Sequence, residues 1–191
     1  MTYRYILNFD SPASKDCDQL LKIFNDTFFC SHNTCLQKGA EEPLYRPAGD
    51  GQQYHCIAFT RDYFASALHE VAHWCVAGAA RRQLLDYGYW YAPDGRSETQ
   101  QREFELVEVA PQALEWMFSE AAGIKFRVST DNLAMGGVAS AEFKDRIYAR
   151  VMKNCTTGVN ARAHAFIMAL QQFYRRDKSF QGNSYERQAL D

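Results

Sequence analysis

Long apolar runs, strong net charge and closely paired cysteines are all missing from this chain. No stretch is apolar for long enough to span a bilayer, and the opening segment MTYRYILNFDSPASKDCD lacks a signal-peptide pattern. A soluble, cytoplasmic protein without a membrane partner is therefore expected. The formal net charge of -2 over 191 residues offers no basic surface to a nucleic acid. Six cysteines (Cys17, Cys30, Cys35, Cys56, Cys75 and Cys155) contain no C-x-x-C pair. In a reducing compartment such thiols stay free and behave as small hydrophobes, and the segment from Cys30 to Cys35 matches no common zinc spacing. No internal repeat and no linker divides the sequence, so one domain is expected over residues 1–176, followed by a polar, mobile tail at 177–191. What is abundant is core material: hydrophobic residues make up 47% and aromatics 14%, which argues for a folded globule.

Against that background one short pattern stands out. His69-Glu70-Val71-Ala72-His73 reads H-E-x-x-H, a spacing that sets two imidazoles one helical turn apart on the same face, able to grip one metal ion. Its surroundings are helical. Residues 62–79 contain no proline, and Ala65, Leu68, Ala72, Val76 and Ala79 recur as an apolar stripe. Thr60 is the expected N-cap, with Asp62 in the first turn where the helix dipole favours an anion. Glu70 is turned about 100° from His69 on such a helix, so it sits beside the metal as general base or water-orienting group, not as a ligand.

The rest of the chain supplies a frame for this helix. Helical patterns run over residues 14–29, 98–122, 141–154 and 159–175, with Pro111 suggesting that the second of these is two pieces. Short strands are expected at 34–37, 54–60 and 126–129, a loop at 40–53, and a short helix at 81–87 broken by Gly88. The sum is an α+β domain, dominated by helices with a small sheet, in a zincin-like layout.

Two histidines leave a catalytic metal one protein ligand short. No H-E-x-x-H-x-x-G-x-x-H continuation exists; His32 and His164 lie in unrelated segments, and His55 is in the strand before the metal helix. Carboxylates are better placed. In REFELVEVAPQALEW, Glu105 and Glu108 are three apart and share a helix face amid Phe104, Leu106, Val107 and Val109. A carboxylate packed among apolar side chains needs a partner, and a metal is one. Glu108 is the expected third ligand; Glu105 is the alternative, or a group supporting the ligands.

Two chemistries fit two histidines and a carboxylate. With Zn²⁺ the site is a metallopeptidase using Glu70 as general base. With Fe²⁺ the same set leaves positions for O₂, as in non-haem oxygenases. A metal-binding module without catalysis is the third class. The surrounding residues favour the second. FASALHEVAHWCVAGAARRQLLDYGYWYAPDGR (residues 64–96) and FELVEVAPQALEWMF (residues 104–118) closely resemble the bacterial elongation factor P hydroxylases, and LLKIFNDTFF with the late helices extends the resemblance more weakly. The resemblance implies a metal-dependent hydroxylase (a monooxygenase, with Fe²⁺ as the divalent metal and O₂ as cosubstrate) acting on the β-lysylated lysine of elongation factor P. It also implies an acidic third ligand beside the two histidines. Arg127-x-Ser129 has the look of a 2-oxoglutarate-binding pair, but the β-barrel that would give it meaning is absent, so that cosubstrate is not carried over.

A long cationic substrate side chain calls for acidic and aromatic groups. Asp86, Tyr89, Trp90 and Asp94 offer both just beyond the metal helix and are the expected substrate-binding residues. Arg81 and Arg82, after the same helix, are candidates for docking an acidic protein partner.

Overall fold

A computed structural model of the chain describes residues 16–49, 51–60, 63–88, 97–130, 139–175 and 185–191. Helix α1 spans Cys17–His32, strands β1 and β2 span Thr34–Ala40 and Leu44–Arg46, and β3 spans His55–Thr60. Helix α2, Phe64–Val76, carries the histidine pair; α3 (Glu98–Ala122), α4 (Ala141–Thr157) and α5 (Ala161–Tyr174) follow. This is an α+β arrangement, with a three-stranded sheet ordered β1-β3-β2 in which β1 runs parallel and β2 antiparallel to β3. Strand β2 lies inside the stretch expected to be loop. Pro43 and Pro47 bracket its three residues, which shortens it below what alternation in sequence reveals.

The sheet separates two apolar clusters. Leu36, Tyr45, Ile57 and Phe59 join the helices in the main core, while Cys35, Cys56 and Ala58 point to the other face. That division is the two-residue alternation of side chains along β3. On the helical side Trp74 meets Phe24 and Phe28 of α1 edge-on, and Phe24, Phe28 and Phe118 meet Phe166 of α5.

Helix α2 begins at Phe64 with Tyr63 as its N-cap, which makes no side-chain capping bond. Thr60 belongs to β3 and is not the cap; Asp62 lies outside the described residues. The other end is held from a distance. Asn160 Nδ2 and Arg162 Nη2 donate to the Cys75 carbonyl at 2.8 and 3.1 Å, and Arg162 and Arg82 both donate to that of Ala77 at 2.7 and 2.6 Å. Asn160 and the two arginines satisfy carbonyls that a helix C-terminus leaves bare, and the helix dipole favours the arginines' charge there. Arg82, expected as a docking residue, is used in this way.

Helix α3 runs unbroken through Pro111 for 25 residues. Pro111 forfeits the bond to the Val107 carbonyl, and Val107 is on the solvent side, where that carbonyl is within reach of water. A capping box between Ser97 and Gln100 opens the helix, and left-handed Gly123 closes it. No strand forms at 126–129. Gln112 instead takes both backbone groups of Ser129, at 2.7 and 3.2 Å, and Phe126 stacks on Trp116. The expected mobile tail also has a packed end: Tyr185 sits edge-on to Trp116, Leu190 is buried, and Arg187 pairs with Asp145 and Asp191.

Candidate metal centre

The site forms where α2 faces α3. Seven residues of α2 are buried in the core, and His69, Glu70 and His73 occupy part of the surface that remains. The Nε2 atoms of His69 and His73 converge to 3.0 Å. From α3, Glu108 brings Oε1 to 3.2 Å from His73 Nε2 and Oε2 to 3.4 Å from His69 Nε2. The three ligand atoms all lie within 4.8 Å of one another, a spacing that a single cation can bridge.

The donor set fits a divalent cation. Glu108 is almost wholly buried, yet its Oε2 receives no hydrogen bond among the described residues. A buried carboxylate oxygen in that condition is costly without a cation beside it. Glu115, one further turn pair along α3, sets the tautomer of His69: its Oε2 is 2.8 Å from Nδ1. A carboxylate can only accept, so Nδ1 carries a proton toward Glu115 and Nε2 is the nitrogen that faces the cluster, free to bind a cation once any proton on it is displaced.

Electrostatics follow from this packing. Burial opposes charge on His69, but the Glu115 hydrogen bond and the charges of Glu115, Glu108 and Glu70 outweigh it and hold the pKa up at about 10. Burial would raise Glu108; His73, His69 and a hydrogen bond from Gln112 reverse that and bring it down to about 2. For Glu115, burial prevails over the pull of His69 and its pKa is raised. Glu70 is also raised, by burial first, with Glu108 and Asp86 adding to it against the two histidines.

Glu108, and not Glu105, meets the histidines. Glu105 faces α4 instead, taking hydrogen bonds from Gln101 at 3.5 Å and Ser140 at 3.3 Å, and lining a 350 Å³ cavity with Arg102, Leu106, Glu142 and Arg146. His55 stays outside the cluster: its Nδ1 accepts from the Ala48 N–H at 3.0 Å and lies 3.1 Å from the Tyr45 hydroxyl. Asp86 is near enough to act on Glu70, but one of its oxygens already accepts the Tyr45 N–H at 2.7 Å. Tyr89, Trp90 and Asp94 lie outside the described residues. The residues that sequence reasoning left unassigned are Gln112 and Glu115. The signal was there: Glu108, Gln112 and Glu115 repeat at helical spacing, a polar row on a face that is otherwise core.

Comparison with known proteins gives this geometry its context. A family described as "Elongation factor P hydroxylase" matches residues 23–185. The chain is 48% identical over 157 residues to a Haemophilus influenzae protein named "Elongation factor P lysine hydroxylase", an alignment covering 82% of this chain and 88% of that one. The chain belongs to the elongation factor P hydroxylase family. The matched region of this family member contains α2, the donors of α3 and the helices that pack them together. Nothing in these likenesses points to a peptidase. No described helix of the hydroxylase-family chain is long and apolar enough to cross a membrane.

Proposed function

We propose that this protein hydroxylates the β-lysylated lysine of elongation factor P, using Fe²⁺ held by His69, His73 and Glu108 and O₂ as cosubstrate. The observation that carries the reading is the three-donor cluster between α2 and α3 in a chain of the hydroxylase family. Two imidazoles and one carboxylate suit ferrous iron and are too few to fill its coordination, which leaves room for a small oxidant. Bound there, iron supplies the one-electron chemistry that O₂ activation needs and zinc lacks.

The chain's own residues have separable tasks. Glu115 holds the proton on His69 Nδ1 and keeps that ring turned to the cluster. Gln112 braces both Glu108 and the Ser129 backbone, tying α3 to the segment that follows it. Glu70, beside the ligands with its carboxyl pKa raised, is placed to take or give a proton near the reacting centre. The substrate's ammonium end is assigned to Asp86, with Tyr89, Trp90 and Asp94 as its further contacts. The zincin-like layout belongs to the same reading, supported by β3 leading into the metal helix.

The test is peptide mass on β-lysylated elongation factor P, incubated aerobically with the protein, Fe²⁺ and a reductant, beside a His69→Ala control. One added oxygen on the modified lysine, absent in the control, is the expected result. No added oxygen, with iron bound and both proteins folded, would overturn the reading; peptide cleavage with Zn²⁺ would replace it with the peptidase.

A further inference from the structure

Two buried thiols stand outside the metal centre, on the opposite face of the sheet. Strands β1 and β3 run parallel with Cys35 directly opposite Cys56, and β2 sets Arg46 on the other side of Cys56. Side chains at paired positions share a face of the sheet, so Cys35, Cys56 and Arg46 form one row across its three strands. Both cysteines are free, and their cover is thin: Ala58 packs beside them, with Ala40, Leu44 and Tyr54 only partly buried around the cluster. Gln37 Nε2 donates to Cys35 Sγ at 3.7 Å.

The pairing brings these sulfurs nearly into disulfide geometry. Neighbouring strands lie about 4.8 Å apart, inside the roughly 4.4–6.8 Å over which two Cα atoms can be bridged. The Cβ atoms must come to about 3.8 Å, so closing the bond draws the strands together by about 1 Å. Strand β1 can make that move. It is an edge strand, and its pairing slips between Gln37 and Ala40, where Gly39 takes a φ of 89°. A bond closed against such resistance is strained and readily reduced, which separates a reversible disulfide from a structural one.

The two thiols are also unequal. A hydrogen bond with Cys56 is the largest influence on Cys35 and, helped by its own backbone and by Gln37, brings it down to about 7 against the burial that raises it. Cys56 is pushed up, by the same bond first and by burial next. Thiolate therefore collects on Cys35, with a protonated thiol beside it, and a low-pKa thiolate next to a second cysteine is the pattern of redox-responsive pairs.

We propose that Cys35 and Cys56 are a reversible redox modification site, oxidised to an intramolecular disulfide by hydrogen peroxide. The Cys35 thiolate attacks one peroxide oxygen, and the O–O bond breaks to leave a sulfenic acid on Cys35 and a hydroxide, which takes up the proton that Cys35 had lost. The Cys56 sulfur then attacks the Cys35 sulfur. The S–S bond forms, the S–O bond breaks, and the Cys56 proton leaves with the departing hydroxide as a second water. Two thiols lose two electrons and two protons, and the peroxide is reduced to two waters. The bond also keeps Cys35 from advancing to the sulfinic acid, which thiols do not reverse.

The test is peptide mass on the full chain after exposure to hydrogen peroxide at neutral pH, with a chelator of free iron present and remaining thiols alkylated at the quench. Peroxide is raised until the exposed Cys30 and Cys155 are oxidised, which shows that the oxidant has acted. The expected result is a Cys35-to-Cys56 linked peptide, two hydrogens lighter than its parts, that dithiothreitol returns to two free thiols. In Cys56→Ala, Cys35 should instead gain oxygen that dithiothreitol does not remove; in Cys35→Ala, Cys56 should stay reduced. Finding Cys35 and Cys56 both alkylated once Cys30 and Cys155 have reacted overturns the proposal. Linkage of Cys35 to any other cysteine does the same, and oxidation of Cys56 at the wild-type rate in Cys35→Ala refutes Cys35 as the attacking thiolate.

Discussion

Glu115 shows how much of the proposed metal site would depend on a residue that does not touch the metal. Its carboxylate accepts from His69 Nδ1 at 2.8 Å and thereby decides which nitrogen faces the cluster. Glu115→Gln keeps the size of the side chain but loses the charge and lets the amide turn its donor toward the ring. We expect iron affinity to fall about 10- to 100-fold with the fold intact, measured by competition with a chromophoric chelator. At this scale the sequence was readable where spacing alone carries the information. His69, His73 and Glu108 are brought together as the motif and the three-residue offset suggested. Glu108 was preferred to Glu105, but spacing could not settle the choice, because a helical offset of about 60° separates them and the rotation of α3 about its axis is set by packing against α2 and α4.

Among the elements, α2 depends on its neighbours more than its composition suggests. Its start has no side-chain cap, and its end is closed by Asn160, Arg162 and Arg82. Arg162 also lies over the Trp74 ring, 4.8 Å from its centroid. Arg162→Ala removes bonds to two carbonyls and that stacking together. A loss of about 1–3 kcal/mol is expected, or ~2–4 °C of Tm for each kcal/mol in a chain of this size, checked by thermal melting. Such support was invisible beforehand, since Arg162 is 85 residues away from Ala77. Helices with a clear apolar stripe were legible, including α1, α4 and α5 to within a few residues. The strand expected at 126–129 failed because a side chain, Gln112, satisfied the backbone that a sheet would otherwise have paired. Pro111 misled in the opposite direction: a missing bond on a solvent-facing side bends a helix less than it breaks one.

For the whole molecule, the helices build a single continuous core on one side of a small sheet, and the last residues belong to it. Tyr185 and Leu190 are both buried, so deleting residues 185–191 should lower stability by roughly 3–6 kcal/mol, from about 1.5–3 kcal/mol per buried side chain. Urea denaturation with a reduced midpoint would show it; an unchanged midpoint would restore the loose tail that polar composition suggested. The core accounts for the candidate site as well, since α1, α5 and the sheet pack against α2 while α3 lies along it with its row of polar residues. The measurement closest to the central claim is therefore iron bound per chain, by elemental analysis after anaerobic loading, for wild type, Glu108→Gln and Glu105→Gln. One ion per chain in wild type and in Glu105→Gln, with loss in Glu108→Gln, is the predicted result. Full occupancy in Glu108→Gln, or its loss in Glu105→Gln instead, would contradict the site between α2 and α3.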